Sequence, residues 1–252
     1  QMSKSYSLNE YAEIINAYIE KALPQCDFGE AVVHEAMNYS LSIGGKRIRP
    51  VLVLEFCRVC GGNIEDALSL AVALEMVHTY SLIHDDLPCM DDDDMRRGMP
   101  SCHIKYGYEY ALLAGDGLLT RAFGVIADSD FAKKNPVGAV KAISALSALA
   151  GANVMIGGQV IDLKNENRKA GLETLSKMDE LKTGALIKCA ALMGCIAADA
   201  DEKKIEAATE YASKIGQAFQ IVDDILDVTG DEKDLGKPIG RQISLLIPKA
   251  FA

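Results

Sequence analysis

The chain has 252 residues, of which 49% are hydrophobic and 25% are charged, values typical of a folded globular protein rather than a disordered one. Acidic residues outnumber basic residues by 36 to 26, and the resulting net charge of −10 makes nucleic acid an unfavourable partner. Aromatic residues make up only 6% and tryptophan is absent, which argues against a β-sandwich and favours helices.

Apolar residues recur at helical spacing along most of the chain, for example from Tyr11 to Ile19 and from Leu68 to Leu82. Short segments rich in Gly and Pro separate about eight to ten such helices, and alternating β-type runs are missing. No flexible linker divides the chain. We therefore predict one all-α helical bundle, with residues 1–252 forming a single domain.

Residues 1–25 lack a basic start followed by an apolar run, so the sequence predicts no export signal. The seven cysteines are odd in number and scattered, which favours a reducing, cytoplasmic environment. The stretch 142–161 has no charge and is long enough to test as a membrane span. Its polar residues and glycines instead favour a buried helix pair, and we expect no stable membrane anchor.

A basic loop, Gly44-Gly45-Lys46-Arg47-Ile48-Arg49-Pro50, is the first candidate binding element in chain order. Lys46 and Arg49 stand three residues apart, just before a helix that Pro50 can start at its first position. Basic side chains and free N–H groups at a helix N-terminus form an anion site. The loop by itself is weak evidence for such a site.

Two short motifs suggest transition metals but lack the partners that these metals need. Cys57-Arg-Val-Cys60 has no second pair at zinc spacing, so two thiols on a packed helix explain it better. Glu75 and His78 have the spacing found in di-iron bundles, yet no other histidine follows a Glu by three residues. Neither zinc nor di-iron chemistry is therefore expected.

Residues 84–97 place six carboxylates within ten positions at the end of a strongly apolar segment. Two carboxylates about 5 Å apart repel by roughly 3 kcal/mol at an effective dielectric constant near 20, so the cluster needs cations, protons or water. A multivalent metal ion is the natural neutraliser, and a solvated acidic helix end is the alternative. Arg96 and Arg97 follow directly and fit both salt bridges to these aspartates and phosphate binding.

A second acidic cluster lies in an apolar segment, where solvation is not the obvious explanation. Asp223, Asp224 and Asp227 are spaced so that all three fall within an arc of about 100° on a helix and face one cavity. Carboxylate oxygens without His or Cys nearby suit a hard ion such as Mg²⁺. Substrate phosphates and water complete the coordination shell of this ion. The two clusters together imply a diphosphate ligand.

The motifs together resemble a known family. The basic loop, the acidic run from Asp85 with its Arg-Arg-Gly, Lys182-Thr183-Gly184 and the motif from Asp223 occur in the order and spacing of the short-chain trans-prenyl diphosphate synthases. Within this polyprenyl synthetase family, the chain is most similar to the bacterial farnesyl diphosphate synthases, from about residue 8 to Lys237. The resemblance implies the isoprenoid synthase fold, in which a large helical bundle surrounds a central cavity, and a homodimer.

The resemblance also implies three Mg²⁺ ions held by aspartates. The expected ligands are Asp85, Asp91 and Asp223. The expected outer or water-mediated supporters are Asp86, Asp224 and Asp227. On a straight helix Asp85 and Asp91 would lie about 240° apart, and Asp92 would be better placed than Asp91. Pro88 must break the helix locally, however, which lets the chain bulge and bring Asp91 round.

The remaining carried-over roles concern the two substrates, isopentenyl diphosphate and an allylic diphosphate. The expected ligands of isopentenyl diphosphate are Lys46, Arg49, His78 and Arg97. The expected ligands of the allylic diphosphate are Arg96, Lys182 and Lys237, with Thr183 and Gln220 turning their oxygens toward the allylic cation. His78 stands seven residues before Asp85 and so shares its helical face by spacing alone, although a core histidine is the alternative.

The resemblance implies that product length depends on Tyr80 and Ser81, which are expected to lie deeper in the pocket than Asp85. In the family that the chain resembles, a large aromatic residue at the position of Tyr80 goes with the fifteen-carbon farnesyl diphosphate. A geranyl or geranylgeranyl diphosphate synthase and a non-catalytic partner subunit are the alternatives. A terpene cyclase would lack the basic clamp and the second aspartate motif. The segment 241–252 departs from the family pattern, so we expect the C-terminal part of the domain to be incomplete.

Overall fold

The computed structural model describes residues 6–23, 26, 28–165 and 171–229, without the side chains of residues 172 and 223–229. In this part the chain forms twelve α-helices, one π-helical turn and one two-stranded ribbon. The helices are α1 (Leu8–Ala22), α2 (Ala31–Ser42), α3 (Ile48–Val59), α4 (Ile64–Asp85), α5 (Cys102–Tyr106), α6 (Tyr108–Ala127), α7 (Asp130–Lys134), α8 (Pro136–Ala150), α9 (Met155–Asn165), α10 (Leu172–Asp179), α11 (Ala185–Ala197) and α12 (Glu202–Thr229). The π-helical turn is Glu180–Gly184, and strands β1 (Met95–Arg96) and β2 (Met99–Pro100) form the ribbon. The all-α prediction is confirmed.

Local sequence signals fix several helix starts. Ser7 and Glu10 form a capping box at α1, in which each side chain accepts the other residue's backbone N–H. The Asn63 side chain accepts the N–H of Glu65 at the start of α4. Asn135 caps α8 in the same way, and Pro136 follows at the first helical position, where its missing N–H costs nothing.

Helix α4 lies at the centre of the bundle and packs against α1, α2, α3, α6, α7, α8 and α11. Residues 69–77 are buried at every position, which is the burial expected of a helix that is apolar nearly all round. Each large apolar side chain buried there contributes about 1.5 to 3 kcal/mol. Helix α11 approaches α3 closely at Gly194, where a Cβ would meet the carbonyl oxygen of Val53 at 2.5 Å. The close packing around α4 holds the side chains of its last turns, up to Asp85, in fixed positions.

The charge-free stretch 142–161 forms two helices, α8 and α9, with a bend between them, which confirms the predicted helix pair. The pair is not fully buried, however, because it lies on the outside of the bundle and exposes Val140, Ile156 and Val160. By length and composition alone, three helical stretches of the described residues could cross a membrane: Ile64–Asp85, Tyr108–Lys134 and Pro136–Asn165. The first of them is 72% buried inside the protein, whereas the third is 28% buried.

Candidate functional site

The carboxyl end of α4 stops at Asp85, and the chain then bulges as the Pro88 argument predicts. Leu87 to Asp91 form turns, because Pro88 has no N–H to continue the helix. The backbone N–H of Asp91 donates to the carbonyl of Asp85 at 2.9 Å, and Asp92 adopts a positive φ of 53°. The helix does not run straight, so the geometry that would favour Asp92 does not arise. The bulge brings Asp91 back beside Asp85.

Asp85 is a largely buried carboxylate, with 15% of its side chain exposed, and it lies near charges of both signs. Burial raises its pKa to about 6, the neighbouring Lys182 ammonium lowers it, and the carboxylate of Asp91 raises it again. Within the residues the structure describes, no three Asp, Glu, His or Cys side chains stand close enough to hold one metal ion by themselves. Two crowded carboxylates of this kind fit Mg²⁺, which uses one or two protein carboxylates and takes its remaining ligands from phosphates and water.

The carboxylate of Asp86 forms a salt bridge with Arg96. Its buried carboxylate accepts from Nε of Arg96 at 3.1 Å and from Nη2 of the same guanidinium. Arg96 belongs to β1, which pairs with β2 through a tight turn where Arg97 and Gly98 both have positive φ. The ion pair thus ties this ribbon to the end of α4. The structure shows the salt-bridge role that the sequence suggested for Arg96, and allylic diphosphate binding by Arg96 stays a prediction.

The ribbon turn brings Arg97 against the basic loop. Its guanidinium donates to the carbonyl of Gly44 and lies over Gly45, where any Cβ would clash with it. Gly45 also has a φ of +126°, so the position favours glycine twice over. Lys46 is exposed beside it. Two of the cations predicted to clamp one diphosphate, Lys46 and Arg97, therefore come from distant parts of the sequence and meet at this loop.

The helix after the basic loop starts two residues earlier than predicted. α3 begins at Ile48, so Arg49 lies inside its first turn and Pro50 takes the third position, where a missing N–H is still harmless. Arg49 Nη1 lies 3.3 Å from Nε2 of His78. Burial and the charge of Arg49 lower the pKa of His78 well below its ordinary value, so the imidazole is neutral near pH 7.

Sequence analysis did not identify the structural role of Arg47. Its buried guanidinium donates to Glu75 at 2.7 Å, to Asn16 at 3.1 Å and to the carbonyl of Leu41, and it has a positive φ of 49°. Glu75 therefore neutralises a buried cation and is no iron ligand. Nothing in the sequence distinguishes this arginine from Lys46 and Arg49, because burial within the fold decides which cation needs a partner.

A cavity of about 410 Å³ opens beside these groups. Its polar lining includes Arg49, His78, Asp85 and Lys182, and its apolar lining includes Leu119, Met155, Ile156 and Leu186. Tyr80 and Ser81, the residues predicted to set product length, also line it about one turn deeper along α4. Tyr80 is buried, and its ring packs edge-on against His84, with the ring centroids 5.6 Å apart. The cavity therefore combines charged groups with an apolar wall.

Lys182 enters the cavity from the π-helical turn Glu180–Gly184, which also carries Thr183. Its Nζ lies 2.7 Å from Oδ2 of Asp162 and 4.0 Å from Oδ2 of Asp85. The charges of Asp85 and Asp162 raise the pKa of Lys182 against the opposing effect of burial, so its ammonium stays charged. Gln220 does not line this cavity. It lines a neighbouring one of about 570 Å³, together with Asp162.

The second acidic cluster lies largely outside the described residues. Helix α12 includes the positions of Asp223, Asp224 and Asp227, but their side chains are not described, and Lys237 lies outside altogether. Their roles stay predictions.

Two cavity-lining residues were not predicted from the sequence: Gln159, which lines the cavity beside Asp85, and Asp162, which lines the neighbouring cavity. The amide nitrogen of Gln159 is buried and has no hydrogen-bond partner in the described part of the chain. Gln159 and Asp162 are three positions apart in an apolar segment, and their spacing alone indicates only that they share one face of a helix.

The helical bundle, with carboxylates and cations lining an apolar cavity, defines the class as an isoprenoid synthase fold. The family model for polyprenyl synthetase matches residues 30–247, and the chain belongs to this family. It is 45% identical over 238 residues to a geranylgeranyl diphosphate synthase of Cyanophora paradoxa, covering 94% of this chain and 78% of that one. It is 46% identical over 206 residues to the farnesyl diphosphate synthase of Bacillus subtilis, covering 82% of this chain and 70% of that one.

Among solved structures, a FPP/GFPP synthase from Zymomonas mobilis aligns with a TM-score of 0.84 at 35% identity, covering 94% of this chain and 87% of that one. The chain spans 58 to 65% of the length of several chloroplastic geranylgeranyl pyrophosphate synthases that it matches. Relatives named for fifteen-carbon and for twenty-carbon products thus resemble the chain to a similar degree.

Proposed function

We propose that the protein is a Mg²⁺-dependent prenyltransferase that condenses isopentenyl diphosphate with dimethylallyl or geranyl diphosphate to give farnesyl diphosphate. The observation that carries this proposal is the cavity in which Asp85, Lys182 and Arg49 meet an apolar wall. Anionic diphosphates need the charged groups, and an isoprenoid chain needs the apolar ones. Membership of the polyprenyl synthetase family supports the same reaction class.

In this proposal the two diphosphates bind at different cations. The loop cations Lys46 and Arg97, with Arg49 and the neutral His78, hold isopentenyl diphosphate, while Lys182 holds the allylic diphosphate. Bound Mg²⁺, held by Asp85, Asp91 and Asp223, would neutralise the charge that develops on the leaving diphosphate.

Lys182 supports the departure of the leaving diphosphate by placing a fixed ammonium beside it in a site of low polarity. The apolar side chains of the cavity exclude water from the resulting allylic cation. Arg49 and His78 hold the second substrate still, so that its double bond lies near that cation. This double bond attacks the cation to form the new C–C bond, and the released diphosphate takes the proton that the condensed chain then loses.

Fifteen carbons is the product length that Tyr80 favours. Its buried ring lines the cavity one turn below Asp85 and limits the space available to a growing chain. Twenty carbons is the alternative, because a geranylgeranyl diphosphate synthase is among the most similar relatives.

Product analysis tests the proposal directly. The protein is incubated with isopentenyl diphosphate and either dimethylallyl or geranyl diphosphate, with Mg²⁺ and then with a chelator, and the products are measured by mass spectrometry. A Mg²⁺-dependent fifteen-carbon diphosphate is expected. A twenty-carbon product would keep the reaction and overturn the role given to Tyr80. Binding of both diphosphates without turnover would instead favour a non-catalytic subunit.

We further propose a homodimer. The first turns of α6 expose Tyr108, Tyr110, Leu112 and Leu113, a large apolar surface for a helix end. Sedimentation equilibrium should give twice the chain mass of 27.1 kDa, and Leu113→Glu should shift the population to monomer. A cytoplasmic location stays a prediction from the sequence.

A further inference from the structure

The Lys182 ammonium has two carboxylate neighbours at unequal distances. Oδ2 of Asp162 lies at 2.7 Å, within hydrogen-bonding range, whereas Oδ2 of Asp85 lies at 4.0 Å. We infer that Asp162 is a positioning residue that holds Lys182 away from Asp85, which leaves Asp85 available to metal and Lys182 available to the allylic diphosphate. This inference rests on the proposed prenyltransferase function.

Helix α9 is built to hold this lysine at both its backbone and its side chain. Gly158 lies so close to the π-helical turn that a Cβ there would meet the backbone nitrogen of Lys182 at 2.6 Å. Asp162 is four residues further along α9 and so shares the same face. The backbone of Lys182 thus packs against Gly158 while its ammonium is bonded one helical turn away. A charged side chain fixed at two points has few orientations left.

The alternative position of the ammonium explains why this support matters. Asp85 is the more deeply buried acid of the two, with 15% of its side chain exposed against 33% for Asp162. A buried carboxylate gains strongly from a direct cation contact. Without Asp162, the ammonium has only to close the gap from 4.0 Å to make that contact. It would then compete with Mg²⁺ for Asp85 and withdraw from the substrate phosphate.

The test is a double-mutant cycle between Asp162 and Lys182. Asp162→Asn keeps the shape of the side chain and a hydrogen-bond acceptor but removes the charge; Lys182→Ala removes the group that Asp162 is inferred to hold. The four proteins are compared for KM of geranyl diphosphate, KM of isopentenyl diphosphate and the Mg²⁺ concentration that gives half-maximal rate. Equilibrium binding of geranyl diphosphate and of Mn²⁺ as a metal probe is measured on the same proteins without turnover.

The expected result is selective. Asp162→Asn should raise KM of geranyl diphosphate and the half-saturating Mg²⁺ concentration by about tenfold, as for loss of a charged hydrogen bond. KM of isopentenyl diphosphate should stay within about twofold, the range expected for an uncoupled site. In the Lys182→Ala background, Asp162→Asn should add less than about twofold to any of these values. Asp162→Glu, which keeps the charge, should recover part of the metal affinity.

A matched control comes from the other end of α4. Asp66 and Lys134 form a similar interhelical ion pair, also at 2.7 Å, with 27% of the Asp66 side chain exposed. Asp66→Asn should leave every kinetic and binding value unchanged. If Asp162→Asn raises both KM values equally, or keeps its full effect in the Lys182→Ala background, the positioning role is wrong. If the unaltered protein binds both probes but makes no prenyl product, the proposed function fails, and the binding cycle still decides the role of Asp162.

Discussion

The two halves of α4 belong to one continuous helix but meet opposite surroundings. Residues 69–77 are buried at every position of a helix that packs against seven other helices of the bundle, whereas the next two turns place His78, Ser81 and Asp85 along the cavity. The first half gains stability from apolar burial. The second half holds a carboxylate whose raised pKa shows that its charge is costly in the folded state. The stability that apolar burial gives the first half offsets the cost of the carboxylate charge in the second half.

The largest expected effect comes from Asp85→Asn in the second half. It should lower the prenyl transfer rate about 10²- to 10³-fold, because it removes a proposed ligand of the Mg²⁺ that would neutralise the charge on the leaving diphosphate. It should also stabilise the metal-free protein by about 1 to 2 kcal/mol at pH 7.5, since the raised pKa of Asp85 means that ionisation opposes folding. Steady-state kinetics and urea unfolding measure the two effects. Asp128→Asn, an exposed aspartate at the end of α6, is the control and should change neither value.

Leu74→Ala in the first half should do the reverse. Leu74 is fully buried, so its truncation leaves a cavity and should cost about 3 to 5 kcal/mol of unfolding free energy. KM values of the protein that remains folded should not change, because Leu74 does not line the cavity of the proposed site. A loss of substrate affinity without a loss of stability would show that the two halves of α4 are not separate in function.

Tyr80→Ala probes the boundary between the two halves of α4, because Tyr80 is buried and also lines the cavity. It should cost about 2 kcal/mol, less than Leu74→Ala, since the ring already borders open space. The opened cavity should shift the product from fifteen toward twenty carbons, as measured by mass spectrometry of the diphosphates. Leu74→Ala is the matched control, and its product length should stay that of the unaltered protein. An unchanged product from Tyr80→Ala would remove the ring from the list of length determinants.

The smallest expected effect is the pH dependence of metal use. Asp85 has a pKa of about 6 in the folded metal-free protein and 3.8 as its ordinary value. As pH falls through 6 the folded protein takes up this proton, so apparent Mg²⁺ affinity should fall by up to about tenfold per pH unit. Over the same window the folded state binds more protons than the unfolded state, so this group makes the metal-free protein more stable as pH falls from 6 to 4. Mg²⁺ titrations and urea unfolding between pH 5 and 8 measure the pH dependence of metal affinity and of unfolding free energy. The contribution of this group to both pH dependences should vanish in Asp85→Asn.

Much of the architecture could be predicted from sequence because apolar spacing and helix breakers act locally. The all-α bundle, the helix pair at residues 142–161 and the bulge after Pro88 all follow from such local rules. The start of α3 was misplaced by two residues, since proline is tolerated anywhere in a first turn and does not mark one position. Local rules therefore gave the elements more reliably than their ends.

The site was predictable where a motif carries its own chemistry and not where partners meet only in the fold. Asp85, Arg49 and Lys182 stood out as charged residues in specific motifs, and the structure brings all three to one cavity. Arg47 and Asp162 did not stand out, because each acts through a salt-bridge partner that is distant in sequence. Glu75 lies 28 positions from Arg47, and Lys182 lies 20 positions from Asp162. Sequence separation of this size hides a pair until packing brings it together.

Equilibrium binding of geranyl diphosphate, measured for the unaltered protein and for Asp85→Asn with Mg²⁺ and with chelator, tests whether the site depends on metal. We expect tight binding only for the unaltered protein with Mg²⁺, and at least about a hundredfold weaker binding for Asp85→Asn under the same conditions. Equal binding by both proteins, with or without Mg²⁺, would contradict the claim that the carboxyl end of α4 forms the metal-dependent diphosphate site.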